Sequence, residues 1–231
     1  MQDARIHAPA CNMIGHSEDR GIVSIGVRTH AAHGREEGGW AAYVVLSGRA
    51  SGPTLLARGR MQLCNTDVDG SNQPFHRVGA TFPFHHAEPM DFKSSEAFIE
   101  QCRQSSRDLA ARALEEIAST HGAIEACCVL TGQERPLPPL RAILAAHGLM
   151  HVAEREFYRE AVRDAAVRCE IATEMVKEKD LPELAERLPG TEASRRDLLN
   201  VFGKQVGSPW AQDEKMAAIA AWLGLAARQS P

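Results

Sequence analysis

From Gly21 onward the apolar residues fall first into short alternating runs and then into three- and four-residue spacings. Ile22-Val23-Ser24-Ile25-Gly26-Val27 is a β-branched run, Trp40 to Leu46 is a second, and Thr54 to Leu63 alternates well enough for a third. A charged, Gly-rich turn from His33 to Gly39 and a second turn from Gly48 to Pro53 separate them, which predicts an antiparallel meander. Cys64 to Lys93 holds Asn65, Asp67, Asp69, Gly70, Pro74, Pro83 and Pro89, too many breakers for a regular element. A loop of that length inside a domain is usually functional or mobile. Ser94-Ser95-Glu96 opens a helix whose apolar positions Phe98, Cys102, Leu109, Ala113, Leu114 and Ile117 run to His121-Gly122. Ala123 to Leu130 is a buried fourth strand, and Ile171 to Val176 forms a fifth. Lys179 to Leu188 and Ser194 to Val201 are helical pieces split by Pro189-Gly190, and Gln212 to Arg228 is a closing helix. The order is βββ-α-β-α-β-α, with no internal repeat.

One helix breaks the usual division of faces. Between Pro136 and Glu170 the apolar residues Leu140, Ile143, Leu144, Ala161, Val162 and Ala165 mark one buried stripe. At about 100° per residue, His147, His151, Glu154 and Tyr158 fall in the middle of it, whereas Arg155, Glu156, Arg159, Glu160 and Arg163 take the solvated side. The four inward polar groups either hydrogen-bond one another in the core or line a cavity.

Bulk composition narrows the function classes. The chain has 231 residues, 44% hydrophobic and 24% charged, enough for a single domain over 21–228, with residues 1–20 reading as a disordered tail. A formal charge of −4 excludes a global positive field, so any phosphate binding must be local. Six cysteines without a CxxC pair, and nothing like a secretory leader, read as reduced thiols in the cytoplasm. No apolar run reaches the roughly 18 residues of a membrane span.

Several residues are candidates for chemistry. His147 and His151, four apart on one face with Glu154 a turn later, suit Zn²⁺, Mn²⁺ or Fe²⁺, and a buried hydrogen-bonded His-Glu pair is the alternative. His76, His85 and His86 with Asp67, Asp69 and Glu88 form a second, adventitious set in the long loop. Arg28, followed by Thr29 and His30 at the end of the first strand, can take a phosphate in a bidentate contact. Cys127 and Cys128 read as buried strand thiols, and Trp210, Trp222 and Leu223 as core or homodimer contacts. Gly34 to Gly39 matches no phosphate-loop or dinucleotide motif, and no Gly-x-Ser-x-Gly elbow occurs.

The order of elements resembles the ribonuclease H-like superfamily, and within it the RuvC group of Holliday-junction resolvases. The resemblance rests on the Ile25-Gly26-Val27 strand, the long helix after strand four, the Met175-Val176-Lys177 strand, and Pro209 followed by the Ala-rich helix Lys215-Met216-Ala217-Ala218-Ile219-Ala220. It implies an α/β fold: a five-stranded mixed sheet, three antiparallel strands then two parallel, with helices on both faces. It also implies two-metal phosphodiester hydrolysis, in which carboxylates at the ends of strands one and four and at the start of the last helix hold Mg²⁺ or Mn²⁺. The chain departs from that pattern by reading Gly26-Val27-Arg28 where the family has Asp. Glu134 is the nearest carboxylate after strand four; on the last helix Asp213 is in the right turn, unless a shifted alignment puts Gln212 and Lys215 there. Glu134, Asp213 and His151 are thus the expected catalytic residues, His147, His151, Glu154 and Asp213 the expected metal ligands, and Arg28 the expected phosphate contact. The function expected is that of a nucleic-acid-associated, noncatalytic or degenerate nuclease acting as a binding or assembly subunit. The alternatives are an active Mg²⁺- or Mn²⁺-dependent nuclease and a small-molecule metal hydrolase on the same fold.

Overall fold

A computed structural model describes residues 21–32, 38–132 and 136–229. The expected tail at 1–20, most of the His33–Gly39 turn and the candidate Glu134 lie outside the described residues. Strands β1 (Val23–His30), β2 (Trp40–Arg49) and β3 (Gly52–Gln62) form the antiparallel meander, and β4 (Ile124–Thr131) and β5 (Ala172–Lys177) add to the other side of β1 as parallel strands. The sheet order is β3-β2-β1-β4-β5, the mixed five-stranded arrangement expected above. The helices are α1 (Pro74–Val78), α2 (Phe92–His121), α3 (Leu140–Leu144), α4 (His147–Arg168), α5 (Leu181–Glu186), α6 (Glu192–Val206) and α7 (Gln212–Gln229). Helices α2 and α4 pack on one face of the sheet and α7 on the other, with α5 and α6 beside α7. Among the described residues no helix is long and apolar enough to cross a membrane.

Three elements differ from expectation for local reasons. The 64–93 segment is not structureless: it contains α1, opened by Pro74, and buries Ser71, Gln73, Phe75, His76 and Val78. Tyr158 fastens it by donating to the Ser71 carbonyl at 3.0 Å. The helix expected over 136–170 is two, because Ala146 is extended (φ −137°, ψ 109°) and separates α3 from α4. Helix α2 starts before Ser94, because Asp91 is its cap and accepts from the Ser94 backbone N–H at 3.0 Å.

The alternation along β1 decides which residues meet which helices. Val23, Ile25 and Val27 join the core under α2 and α4, while Ser24, Gly26 and Arg28 face α7. Helix α7 presents Ala217, Ala218, Ala220, Ala221 and Gly224 to the sheet, all small and buried. The approach is close enough that a Cβ on Gly26 would sit 1.9 Å from the Ala217 carbonyl oxygen. One on Gly224 would sit 2.3 Å from Ser24 Oγ. At the far end of α7, Trp222 donates to the Ala50 carbonyl at 2.7 Å, and the Gln229 amide bonds Ala50 N–H and the Gly48 carbonyl.

Gly26→Ala therefore pushes backbone against backbone, which a rotamer change cannot relieve. We expect it to lower stability by about 3 kcal/mol or more, measured by urea unfolding, whereas Gly52→Ala, with open space around it, stays within about 1 kcal/mol of wild type.

Candidate functional site

Strands β1, β4 and β5 are parallel and end together, so their carboxyl ends form a crevice of the kind that takes ligands in open α/β sheets. Arg28 stands there on the α7 side of β1. Glu178 follows the last residue of β5, and Asp213 lies in the first turn of α7. Arg28 donates to Glu178 through both Nε and Nη2, each at 3.1 Å, and through Nη1 to Asp213. His30 Nε2 lies 3.2 Å from the other Asp213 oxygen, and its ring stacks on Trp40 at 4.1 Å. The Arg60 guanidinium sits 3.9 Å above the same indole. Partial burial works against the charge of Arg28, but its bonds to Glu178 and the charges of Glu178 and Asp213 outweigh that and hold its pKa above the ordinary value. His30 moves the other way: burial lowers its pKa, Asp213 opposes, and Arg28 and Arg60 reinforce the lowering.

This cluster adjoins a groove of about 640 Å³ lined in part by Thr29, Gly132, Val152, Arg155, Glu156 and Arg159. Arg159, expected on a solvated face, is only 8% exposed: it lies against Gly132 and pairs with Glu156 at 2.6 Å. Further along α4, Glu160 and Asp164 pair with Arg103 and Arg107 of α2. The polar side of α4 is thus part groove wall and part helix-helix seam.

Two Mg²⁺ do not fit these residues. A guanidinium cannot ligate a cation and repels one, and it stands at the strand-one position of an implied ligand while bonding Asp213, the implied ligand on the last helix. Asp213, expected as a ligand, is instead bonded to Arg28, with His30 beside it. Glu178 was not singled out from the sequence, because nothing in its spacing says that the turn after β5 meets Arg28.

His147, His151 and Glu154 stand elsewhere. Their face of α4 is about 120° round the helix from the face that lines the groove, at 100° per residue, and none of the three lines the groove. The structure brings them instead to His76 of α1. Glu154 is wholly buried and accepts from the His76 backbone N–H at 3.2 Å. The same oxygen lies 2.9 Å from His76 Nδ1, a close contact whose angle falls short of a well-aligned hydrogen bond. Burial pushes the Glu154 carboxyl above the usual range, and His76 opposes that rise. The His76 ring is 5.0 Å from that of His147 and 4.5 Å from that of His151, centre to centre. Asp213 is not part of this group. Of the other loop histidines, His85 and His86 are exposed and pack on each other at 3.7 Å, and Asp69 pairs with Arg77.

The sequence matches no family model and no curated protein. Among solved structures it is similar to T. thermophilus RuvC in complex with a Holliday junction substrate, at 11% identity over 90% of this chain and 96% of that one, with a TM-score of 0.48. A second Thermus thermophilus RuvC structure gives 12% identity, the same coverage and a TM-score of 0.47. The fold is ribonuclease H-like. That statement rests on the strand order and directions, three antiparallel strands then two parallel, with helices on both faces. Three of the buried cysteines take no part in either site: Cys127 and Cys128 point to opposite faces of β4, and burial pushes the Cys128 thiol up to about 12 and that of Cys127 further. Cys64 is likewise buried, and its thiol is raised by the same cause.

The lowered pKa of His30 means that the folded state binds its proton less readily than the unfolded chain. Its contribution to stability is therefore complete above the ordinary value of 6.5 and is lost as pH falls through the lower, folded value. Arg28→Ala removes a repelling charge and leaves Asp213 unopposed. We expect the His30 titration, followed by NMR, to move upward in that variant.

Proposed function

We propose that this protein is a noncatalytic ribonuclease H-like domain, a nucleic-acid-associated binding or assembly subunit whose groove accepts a phosphate backbone. One observation carries the reading: Arg28, at the strand-one position where the resemblance implies a metal-binding carboxylate, bonds Asp213, the carboxylate it implies on the last helix, and is held by Glu178 as well. The arginine supplies a positive charge without a Lewis acid, so it neutralises the carboxylates and leaves no centre to activate a water. Arg28, Arg155 and Arg159 contribute positive charge to the groove, which supports local phosphate contact in a chain of net charge −4. Glu156, Glu178 and the adjoining Asp213 offset most of it, so affinity is expected to be modest. An active Mg²⁺- or Mn²⁺-dependent nuclease would need Asp213 released from Arg28 and a further carboxylate such as Glu134.

The direct test incubates the protein with branched, single-stranded and double-stranded DNA in Mg²⁺ or Mn²⁺. We expect no cleavage, and binding whose logarithm falls with log salt at a slope of about −2 to −3, for two or three phosphate contacts. Arg155→Glu, an exposed site, should weaken that binding without changing the melting temperature. Cleavage that disappears in Asp213→Ala would overturn the noncatalytic reading, and salt-insensitive binding would overturn the phosphate contact. Arg28→Asp places three carboxylates together. In metal-free buffer it should lose about 1–2 kcal/mol, allowing for solvent screening at a side chain 23% exposed. Mg²⁺ should restore the lost melting temperature in that variant and leave wild type unmoved.

A further inference from the structure

The histidine cluster on the other face of α4 has no role in the groove. One ring nitrogen from each of His76, His147 and His151 lies within 4.8 Å of the other two. His76 is 1% exposed, and with Nδ1 turned to Glu154 its remaining nitrogen, Nε2, is buried without a hydrogen-bond partner. A buried imidazole nitrogen left in that state is unfavourable unless something coordinates or bonds it. The chain has surrounded it with two more imidazoles, four residues apart on the first two turns of α4, and with a wholly buried carboxylate behind it.

We propose that His76, His147 and His151 bind a single divalent transition-metal ion, zinc being the best match, with Glu154 positioning His76. The donor set selects the ion: three imidazoles suit zinc and its neighbours, whereas Mg²⁺ and Ca²⁺ require oxygen. Glu154 occupies the place that a carboxylate takes behind a metal-bound histidine, facing the nitrogen that does not bind metal and so fixing which nitrogen does. Zinc-nitrogen bonds of about 2.0–2.1 Å bring tetrahedral ligand atoms to roughly 3.3 Å from one another. The cluster must therefore tighten from its present spacing, in which His76 is buried, His151 half-buried and His147 exposed. The positive end of the α4 dipole opposes a cation here, an effect that is small beside three imidazole bonds. Because His147 is exposed, the fourth position faces solvent, as in sites that keep a water or exchange it for a ligand. The ion would also join α1 to α4 across the sequence, holding the 64–91 segment down at a second point besides Tyr158.

The experiment uses the full chain stripped with a chelator and titrated with Zn²⁺, and with Co²⁺ as a spectroscopic stand-in. We expect one equivalent to bind at micromolar or lower free zinc, Co²⁺ to show the visible bands of a low-coordinate nitrogen site without thiolate charge transfer, and zinc to raise the melting temperature. His147→Ala leaves the core untouched and should weaken binding at least about 100-fold with an unchanged far-UV spectrum. Glu154→Gln should keep the stoichiometry and weaken affinity about 10- to 100-fold. A His85→Ala/His86→Ala double variant should bind as wild type does. The proposal falls if no saturable site is found at micromolar zinc, if His147→Ala binds like wild type, or if the His85/His86 variant is the one that loses the metal. Unchanged affinity in Glu154→Gln would overturn the positioning role.

Discussion

The contact between Gly26 and the backbone of α7 sets the geometry of everything at the crevice. Because the helix rests almost directly on β1, its first turn is delivered to the end of that strand, and Asp213 arrives beside Arg28. The strand's alternation does the rest: Ser24, Gly26 and Arg28 share a face, so the residue that permits the close approach and the residue that meets Asp213 are coupled by a period of two. The small residues of α7 extend the same fit over β2 and β4. A bulkier interface would lift the helix and separate the charges. Packing here is therefore part of the electrostatics.

Helix α4 serves two unrelated neighbourhoods. One flank, with Val152, Arg155, Glu156 and Arg159, forms a wall of the groove; another, with His147, His151, Glu154 and Tyr158, receives the 64–91 segment. The hydrogen bonds of its buried Glu154 and Tyr158 run to a loop and not to the sheet. Glu154 and Tyr158 each find a partner in that segment, the first at the His76 backbone and the second at the Ser71 carbonyl.

Much of the architecture was legible in the sequence because it is local. The β-branched runs marked β1, β2 and β4, the breakers marked the turns, and the order of elements implied the mixed sheet that the structure has. The inward polar face of α4 was legible in part: Glu154 and Tyr158 are buried and His151 is half-buried, but His147, at the start of the helix, is exposed. What escaped was pairing between distant segments. Glu178 meets Arg28 from 150 residues away, and His76 meets Glu154 from 78. No period or spacing encodes either. Arg159 was misplaced for a related reason: a helix with polar residues on two sides has two candidate solvent faces, and only the position of α2 and Gly132 shows which is covered. The split between α3 and α4 was hidden because neither Ala145 nor Ala146 is a helix breaker.

Arg28 differs from a bound ion in one respect that reaches beyond the fold. A magnesium ion has a dissociation constant, competes with other cations and leaves when chelators or nucleotides claim it. A guanidinium attached to β1 does none of these. The positive charge at the mouth of the crevice is thus fixed at synthesis, and neither a chelator nor a competing divalent ion removes it.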